Sequence, residues 1–66
     1  MIRNIVYELR SLARMTQEEL AKAVGVTRQT IISLEKNKYV PSLEPGFRIA
    51  EVFDRRVDEV FSHGAS

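Results

Sequence analysis

Between Thr16 and Glu35 the chain specifies two short helices with almost no slack between them. Thr16 precedes Glu19 by three residues, the spacing at which a threonine hydroxyl accepts from an amide of the first turn and the glutamate returns to the amide of the cap. That helix is predicted to end near Val24, because Gly25 takes the left-handed conformation of a tight turn without a Cβ penalty. Thr27 caps a further helix at once, running through Glu35 or Lys36 and ended by Asn37, the non-glycine residue that best tolerates positive φ. Helices of about eight residues joined by about four cannot lie antiparallel and must cross steeply. The crossing dictates sizes. Ala21 has to be small, Gly25 has to bend the turn, and Leu20, Val24, Val26, Ile31 and Leu34 have to fill the space beneath; every one of these positions is occupied as required.

Elsewhere apolar residues also recur at helical spacing, and no segment of four or more alternates, which predicts an all-α fold of five helices. The first runs from about Arg3 to Arg14, with Ile2, Val6, Leu9 and Ala13 on one stripe and Arg3, Arg10 and Arg14 mostly off it. Lys38 to Pro41 form an extended link, since the residue before a proline is pushed out of the helical region. Ser42 caps a fourth helix whose buried stripe is Leu43, Phe47, Ala50 and Phe53; Pro45 is tolerated in its first turn, and Gly46 costs about 1 kcal/mol relative to alanine. A short helix from Val57 to Phe61 closes the fold, and Ser62 to Ser66 read as a frayed tail. At 66 residues the chain has room for one domain, residues 1–66.

Composition removes several function classes. There is no cysteine, and His63 stands alone, so no zinc shell can be completed. Glu18, Glu19, Asp58 and Glu59 fit capping and surface roles rather than a catalytic pair; no enzyme, cofactor or small-molecule ligand is indicated. Uninterrupted apolar runs reach only two or three residues against the roughly 20 of a membrane span, and the first residues carry no signal-peptide pattern, so the expected location is cytoplasmic, with no membrane partner. The net charge of +1 hides an asymmetry: residues 1–40 hold seven Lys/Arg against four Asp/Glu, while residues 41–66 hold three against five. The first part suits an anion and the second does not.

The two crossed helices have the spacing of a helix-turn-helix. Leu9-Arg10, Thr16 to Ala21, Val24 to Ile31, Leu34-Glu35, Pro41 to Glu44 and Ile49 to Phe53 resemble the Xre-type, lambdoid repressor and Cro-like transcriptional regulators, in particular their small stand-alone members. The resemblance implies a five-helix lambda-repressor-like DNA-binding domain whose third helix enters the major groove of double-stranded DNA, usually as a dimer on a two-fold operator. Pro45-Gly46 and Asp54 depart from the pattern, where the family usually has helix formers and a terminating glycine.

Arg28 and Gln29, in the first turn of the third helix, are turned outward by buried Ile31 and Leu34, where arginine suits guanine and glutamine suits adenine; for Arg28 a phosphate is the competing partner. Ser33 shares that face with Thr30 and Ile32. Ile32 is either a plain surface residue or a contact to a thymine methyl. Gln17, whose counterpart in the family reaches a phosphate, sits at a helix N-terminus that favours an anion. Thr27, Thr30, Lys36, Asn37, Lys38 and Tyr39 are placed for the sugar-phosphate backbone, the alternative being plain solvation. In the resembled family an arginine and a glutamate matching Arg10 and Glu35 form a largely buried pair; by stripe analysis alone they are two surface charges. Val40, Val57, Val60 and Phe61 either form a homodimer interface, with Arg55 and Arg56 pairing to Asp58 and Glu59 across the axis, or close the bottom of the core. The resulting expectation is a sequence-specific DNA-binding regulator, most simply a repressor. The alternative is an interaction module, such as an antitoxin or adaptor, built on the same fold.

Overall fold

The computed structural model describes residues 2–64. In chain order the elements are β1 (Ile2–Asn4), α1 (Val6–Leu12), α2 (Gln17–Val24), α3 (Arg28–Glu35), α4 (Leu43–Val52), α5 (Val57–Val60) and β2 (Phe61–His63). Local chemistry explains where the central helices start and stop. Thr16 Oγ1 accepts from Glu19 N at 3.0 Å while Glu19 Oε1 accepts from Thr16 N at 2.8 Å, a reciprocal box that satisfies two amides at once. Gly25 ends α2 at φ 77°, and Thr27 Oγ1 takes the Thr30 amide at the head of α3. Past Lys36, Asn37 sits at φ 58°.

α2 and α3 cross over Leu20, Ala21, Val24, Ile31 and Leu34, all buried. Val6 and Leu9 of α1, Ile49 and Ala50 of α4, and Val60 of α5 complete one core, with Met15, Val26, Val52, Phe53, Val57 and Phe61 packed around it. Arg48 of α4 braces the turn between α2 and α3: its Nη1 donates to Val24 O at 3.3 Å, its Nη2 to Glu44 Oε2 at 2.7 Å. A Cβ at Gly25 would stand 3.2 Å from that Nη1, so a side chain here would be strained by the backbone conformation and would push the Arg48 guanidinium aside.

The structure departs from the sequence expectations at both ends. Ile2–Asn4 form a strand paired antiparallel with Phe61–His63, in register Ile2 with His63, Arg3 with Ser62 and Asn4 with Phe61. A three-residue strand is too short for alternation to show, and its partner lies at the other end of the chain. The first helix therefore begins at Val6, not Arg3, the Asn4 side chain accepting from Val6 N at 3.0 Å. Ala13 is exposed rather than buried. Ser62 and His63 belong to β2, and α5 stops at Val60; Ala65 and Ser66 of the expected tail lie outside the described residues. In α4 the buried residues are Gly46, Ile49 and Ala50, with Phe53 half-buried just beyond, while Leu43 and Phe47 are 72% and 50% exposed. The real inward stripe lies about one residue round the helix from the expected one, with Gly46 facing Phe61. Ser42 holds the cap position of α4 by backbone conformation, without a side-chain bond.

Candidate nucleic-acid interface

α3 presents two rows outward. Arg28, Ile32 and Lys36 follow one another at intervals of four, as do Gln29 and Ser33 in the neighbouring row. Arg28 and Gln29 are exposed, whereas Ile32 and Ser33 are half-buried. The rows border different depressions. Gln29 and Ser33 line one with Thr27, Thr30, Lys38 and Tyr39. Arg28 lines the other with Arg10, Thr16, Gln17 and Glu18, at the N-terminus of α2. Six of the residues expected to touch bases or backbone thus share one concavity, and Arg28 joins Gln17 in a second; Ile32, Lys36 and Asn37 line neither.

Thr27 and Thr30 are joined to one another, their hydroxyl oxygens 2.9 Å apart. Either can still offer a lone pair, or whichever hydrogen is not shared, to an outside group. The first turn of α3 carries no acidic side chain. Among the described residues the ion pairs join Arg10 to Glu35, Arg48 to Glu44 and Arg56 to Asp58, leaving Lys36 and Lys38 uncompensated on this face and Arg28 unpaired in the hollow it shares with Glu18. Such a face favours a polyanion.

Beneath it lies the Arg10–Glu35 pair. Arg10 Nε donates to Glu35 Oε2 at 2.6 Å and Nη2 to Oε1 at 3.1 Å, a two-pronged fork, and Nη1 donates to Met15 O at 2.8 Å. The two side chains are only 13% and 7% exposed. The Glu35 hydrogen bond raises the Arg10 pKa above its ordinary value, against the opposing pull of burial. Gln17 completes the cluster, its Nε2 donating to Glu35 Oε1 at 3.1 Å. Glu35 thereby holds α1 and the head of α2 against the end of α3. Gln17 keeps one amide hydrogen, and its backbone N–H lies in the first turn, where no intrahelical acceptor exists.

On a separate face, Val40, Leu43, Val57 and Phe61 line an apolar groove with Ile2, Pro41 and Gly46. Phe47 and Val57 extend it into a second hollow beside Arg55 and Arg56. Val60, expected to contribute to an interface here, is 1% exposed and belongs to the core instead. Arg56 engages its own chain: Nη2 meets Asp58 Oδ2 at 2.8 Å and its backbone N donates to Glu59 Oε1 at 2.7 Å. Sequence reasoning missed Leu43 and Phe47 on this surface by assigning them to the core. It also missed Asn4, whose side chain reaches the end of α3. Asparagine two residues before a helix was the available signal. Among the described residues no group of three or more His, Asp or Glu side chains is placed to hold a metal ion, and no helix is long and apolar enough to cross a membrane.

Comparison with known proteins agrees with this geometry. Residues 6–60 match the helix-turn-helix family model. An uncharacterized HTH-type transcriptional regulator of Archaeoglobus fulgidus is 50% identical over 60 residues, covering 91% of this chain and 84% of its own. One from Methanocaldococcus jannaschii is 47% identical and YgzD of Bacillus subtilis 43%, each over 60 residues and 91% of both chains.

Proposed function

Since the chain belongs to the helix-turn-helix family of DNA-binding transcriptional regulators, we propose that it reads the major groove with α3 as a homodimer and represses by occupying an operator. The observation that carries this reading is the outward face of α3: Arg28 and Gln29 stand in an acid-free first turn beside uncompensated Lys36 and Lys38. Gln29, Arg28 and Ser33 are assigned to base edges, with Ile32 beside them for a thymine methyl. Gln17, Thr27, Thr30, Lys36, Asn37, Lys38 and Tyr39 are assigned to the backbone. We place the protein in the cytoplasm, where a DNA-binding regulator meets its duplex.

The homodimer is supported by the exposed apolar side chains of Val40, Leu43 and Phe47, which border half-buried Val57 and Phe61. Two modules about 34 Å apart would double the footprint on a two-fold site. The same face also favours a second reading, an interaction module that holds a different protein. Selection of bound duplexes from a random pool tests the choice. A palindromic motif with half-sites roughly one helical turn apart is expected; recovery of no motif would sink the operator reading and leave the interaction module.

A further inference from the structure

We propose that Asn4, on the N-terminal strand, is a positioning residue for DNA binding: its amide clasps the end of α3 to Asn37 and so fixes where Lys36 and Lys38 stand against the phosphates. The inference rests on the backbone role given above to those two lysines.

α3 ends in a reverse turn in which Asn37 N donates to Leu34 O at 3.0 Å and Lys38 N to Ser33 O at 2.9 Å. That pattern is local and forms at many helix ends. The additional element is a side chain from thirty residues earlier. Asn4 Nδ2 donates to Leu34 O at 3.0 Å and to Asn37 Oδ1 at 3.3 Å. An amide nitrogen has two hydrogens, and both are spent on this turn. The Leu34 carbonyl receives two donors, and the Asn37 side chain is held as well as its backbone.

α1 and α4 end in the same way, with Arg14 and Asp54 at φ 55° and 54°. Arg14 N reaches Ser11 O and Met15 N reaches Arg10 O, while Asp54 N reaches Glu51 O and Arg55 N reaches Ala50 O. Among the described residues no distant side chain donates to the carbonyls closing those two turns. The clasped turn is the one that carries Lys36 and Lys38. Lys38 and Tyr39 also wall the depression that holds Gln29 and Ser33, so a shift of this turn moves backbone contacts relative to base contacts. Asn4 is itself well anchored. It pairs with Phe61 in the ribbon, the next amide, Ile5 N, donates to Val60 O at 3.1 Å, and its Oδ1 holds Val6 N.

Substitution separates the clasp from the cap. Asn4→Ser keeps a small oxygen near Val6 N but is too short to reach Leu34 O, and it adds no charge. Asn4→Asp keeps size and cap but turns the donor into a carboxylate facing two acceptors. Ser62→Asp, opposite Arg3 in the ribbon, adds the same charge away from the clasp and serves as its control. Two readouts on the full chain are needed: amide hydrogen exchange at Asn37 and Lys38 in the free protein, and binding to the duplex selected from the random pool as a function of salt. Both Asn4 variants should exchange these amides about tenfold faster. Both should lower the slope of log K against log salt by about one, with affinity reduced about tenfold and the selected motif unchanged. Ser62→Asp should leave exchange and motif as they were.

Wild-type salt slope and affinity in Asn4→Ser, whatever the exchange, would overturn the proposal. So would loss of the motif together with broad unfolding, which would make Asn4 a general structural residue. Should Asn4→Ser fail to fold, Asn4→Asp read against Ser62→Asp carries the same test, and an unchanged salt slope there is equally decisive against the clasp. If the unaltered protein selects no duplex, the operator reading falls, a result distinct from one in which it selects a duplex and Asn4→Ser matches it.

Discussion

The α2–α3 half and the segment from α4 to β2 use similar amounts of apolar sequence to different ends. In α2 and α3 the helix boundaries are set by side-chain caps and a glycine, and the large aliphatic side chains point inward. The outward residues are mostly polar or charged, with Ile32 among the exceptions. In the later segment α4 starts without a side-chain cap bond, ends at an aspartate held at positive φ, and leaves Leu43 and Phe47 in solvent. Where every local preference agrees with the tertiary packing, the region is fully specified by one chain. Where apolar side chains remain outside and helix ends are suboptimal, one chain leaves part of the surface unspecified. On the reading proposed above, the first half addresses an anion and the second an apolar partner.

The largest expected effect lies in the first half, at the pair holding it together. Removing either Arg10 or Glu35 leaves a buried charge without its partner and should cost about 3 to 5 kcal/mol, a large share of the stability of so small a chain. Arg10→Met with Glu35→Leu should cost less than the two single changes added. A double-mutant cycle in urea measures this, and coupling below about 0.5 kcal/mol would show the two acting independently. The pH dependence has a definite sign. Glu35 raises the Arg10 pKa in the folded state, so the contribution is complete below the unfolded arginine value and is lost only as pH rises through the folded one. Both lie above ordinary buffers, so the stability difference between wild type and Arg10→Met should not change on the alkaline side through Arg10, between about pH 7 and 10.

The next effect belongs to the other half. Phe47→Glu places a charge in the exposed apolar face while removing little from the core, since Phe47 is already half in solvent. Thermal unfolding of the monomer should barely change, sedimentation should shift from dimer to monomer, and operator affinity should fall by about 2 kcal/mol or more. A wild-type protein that sediments as a monomer, free and on its duplex, would remove the homodimer from the comparison.

How far the sequence revealed each half follows from the range of the interactions involved. Thr16, Glu19, Gly25, Thr27 and Asn37 act within a turn of their own position, so their spacing alone sets the helix boundaries. The joining of Arg10 to Glu35 spans 25 residues and came from family resemblance; periodicity shows only two charges beside core leucines. The ribbon of β1 and β2 was illegible because its residues neighbour each other only after the helices have folded. In α4 two stripes compete, Leu43-Phe47-Ala50 and Gly46-Ile49-Ala50, and hydrophobicity favours the wrong one. A glycine carries no apolar weight in such a count, yet Gly46 is buried here and faces Phe61.

Within the first half, base reading and backbone positioning should separate. Gln29→Ala or Arg28→Ala should cost about 1 to 3 kcal/mol on the preferred duplex and relax preference at the corresponding base pair. Lys38→Ala should weaken all duplexes alike and reduce the salt slope by about one. Binding titrations on matched and mismatched duplexes at several salt concentrations measure both. Uniform weakening by all three changes would reduce α3 to a backbone contact.

The smallest effect is a gain in stability, and it contrasts the two halves at the same structural position. Arg14, Asn37 and Asp54 each hold the left-handed residue of a helix-ending turn. For an ordinary side chain that conformation costs about 1 to 2 kcal/mol. Glycine avoids the clash but loses more backbone entropy on folding, about 0.5 to 1 kcal/mol. Arg14→Gly should therefore stabilise by roughly 0.5 to 1 kcal/mol, and Asp54→Gly by less, since aspartate also visits this region, provided nothing else depends on the side chain. At Asp54 the exposed carboxylate makes no ion pair among the described residues. Asn37 differs on both counts. Asparagine already tolerates the left-handed region, and its Oδ1 accepts from Asn4, so Asn37→Gly forfeits a bond while relieving little strain. Urea unfolding should show Asp54→Gly and Arg14→Gly above wild type and Asn37→Gly at or below it. A gain at Asn37 equal to the other two would mean that its side chain contributes nothing to the turn. The end of α3 would then be held from outside only through the Leu34 carbonyl, where the ends of α1 and α4 have no such donor among the described residues.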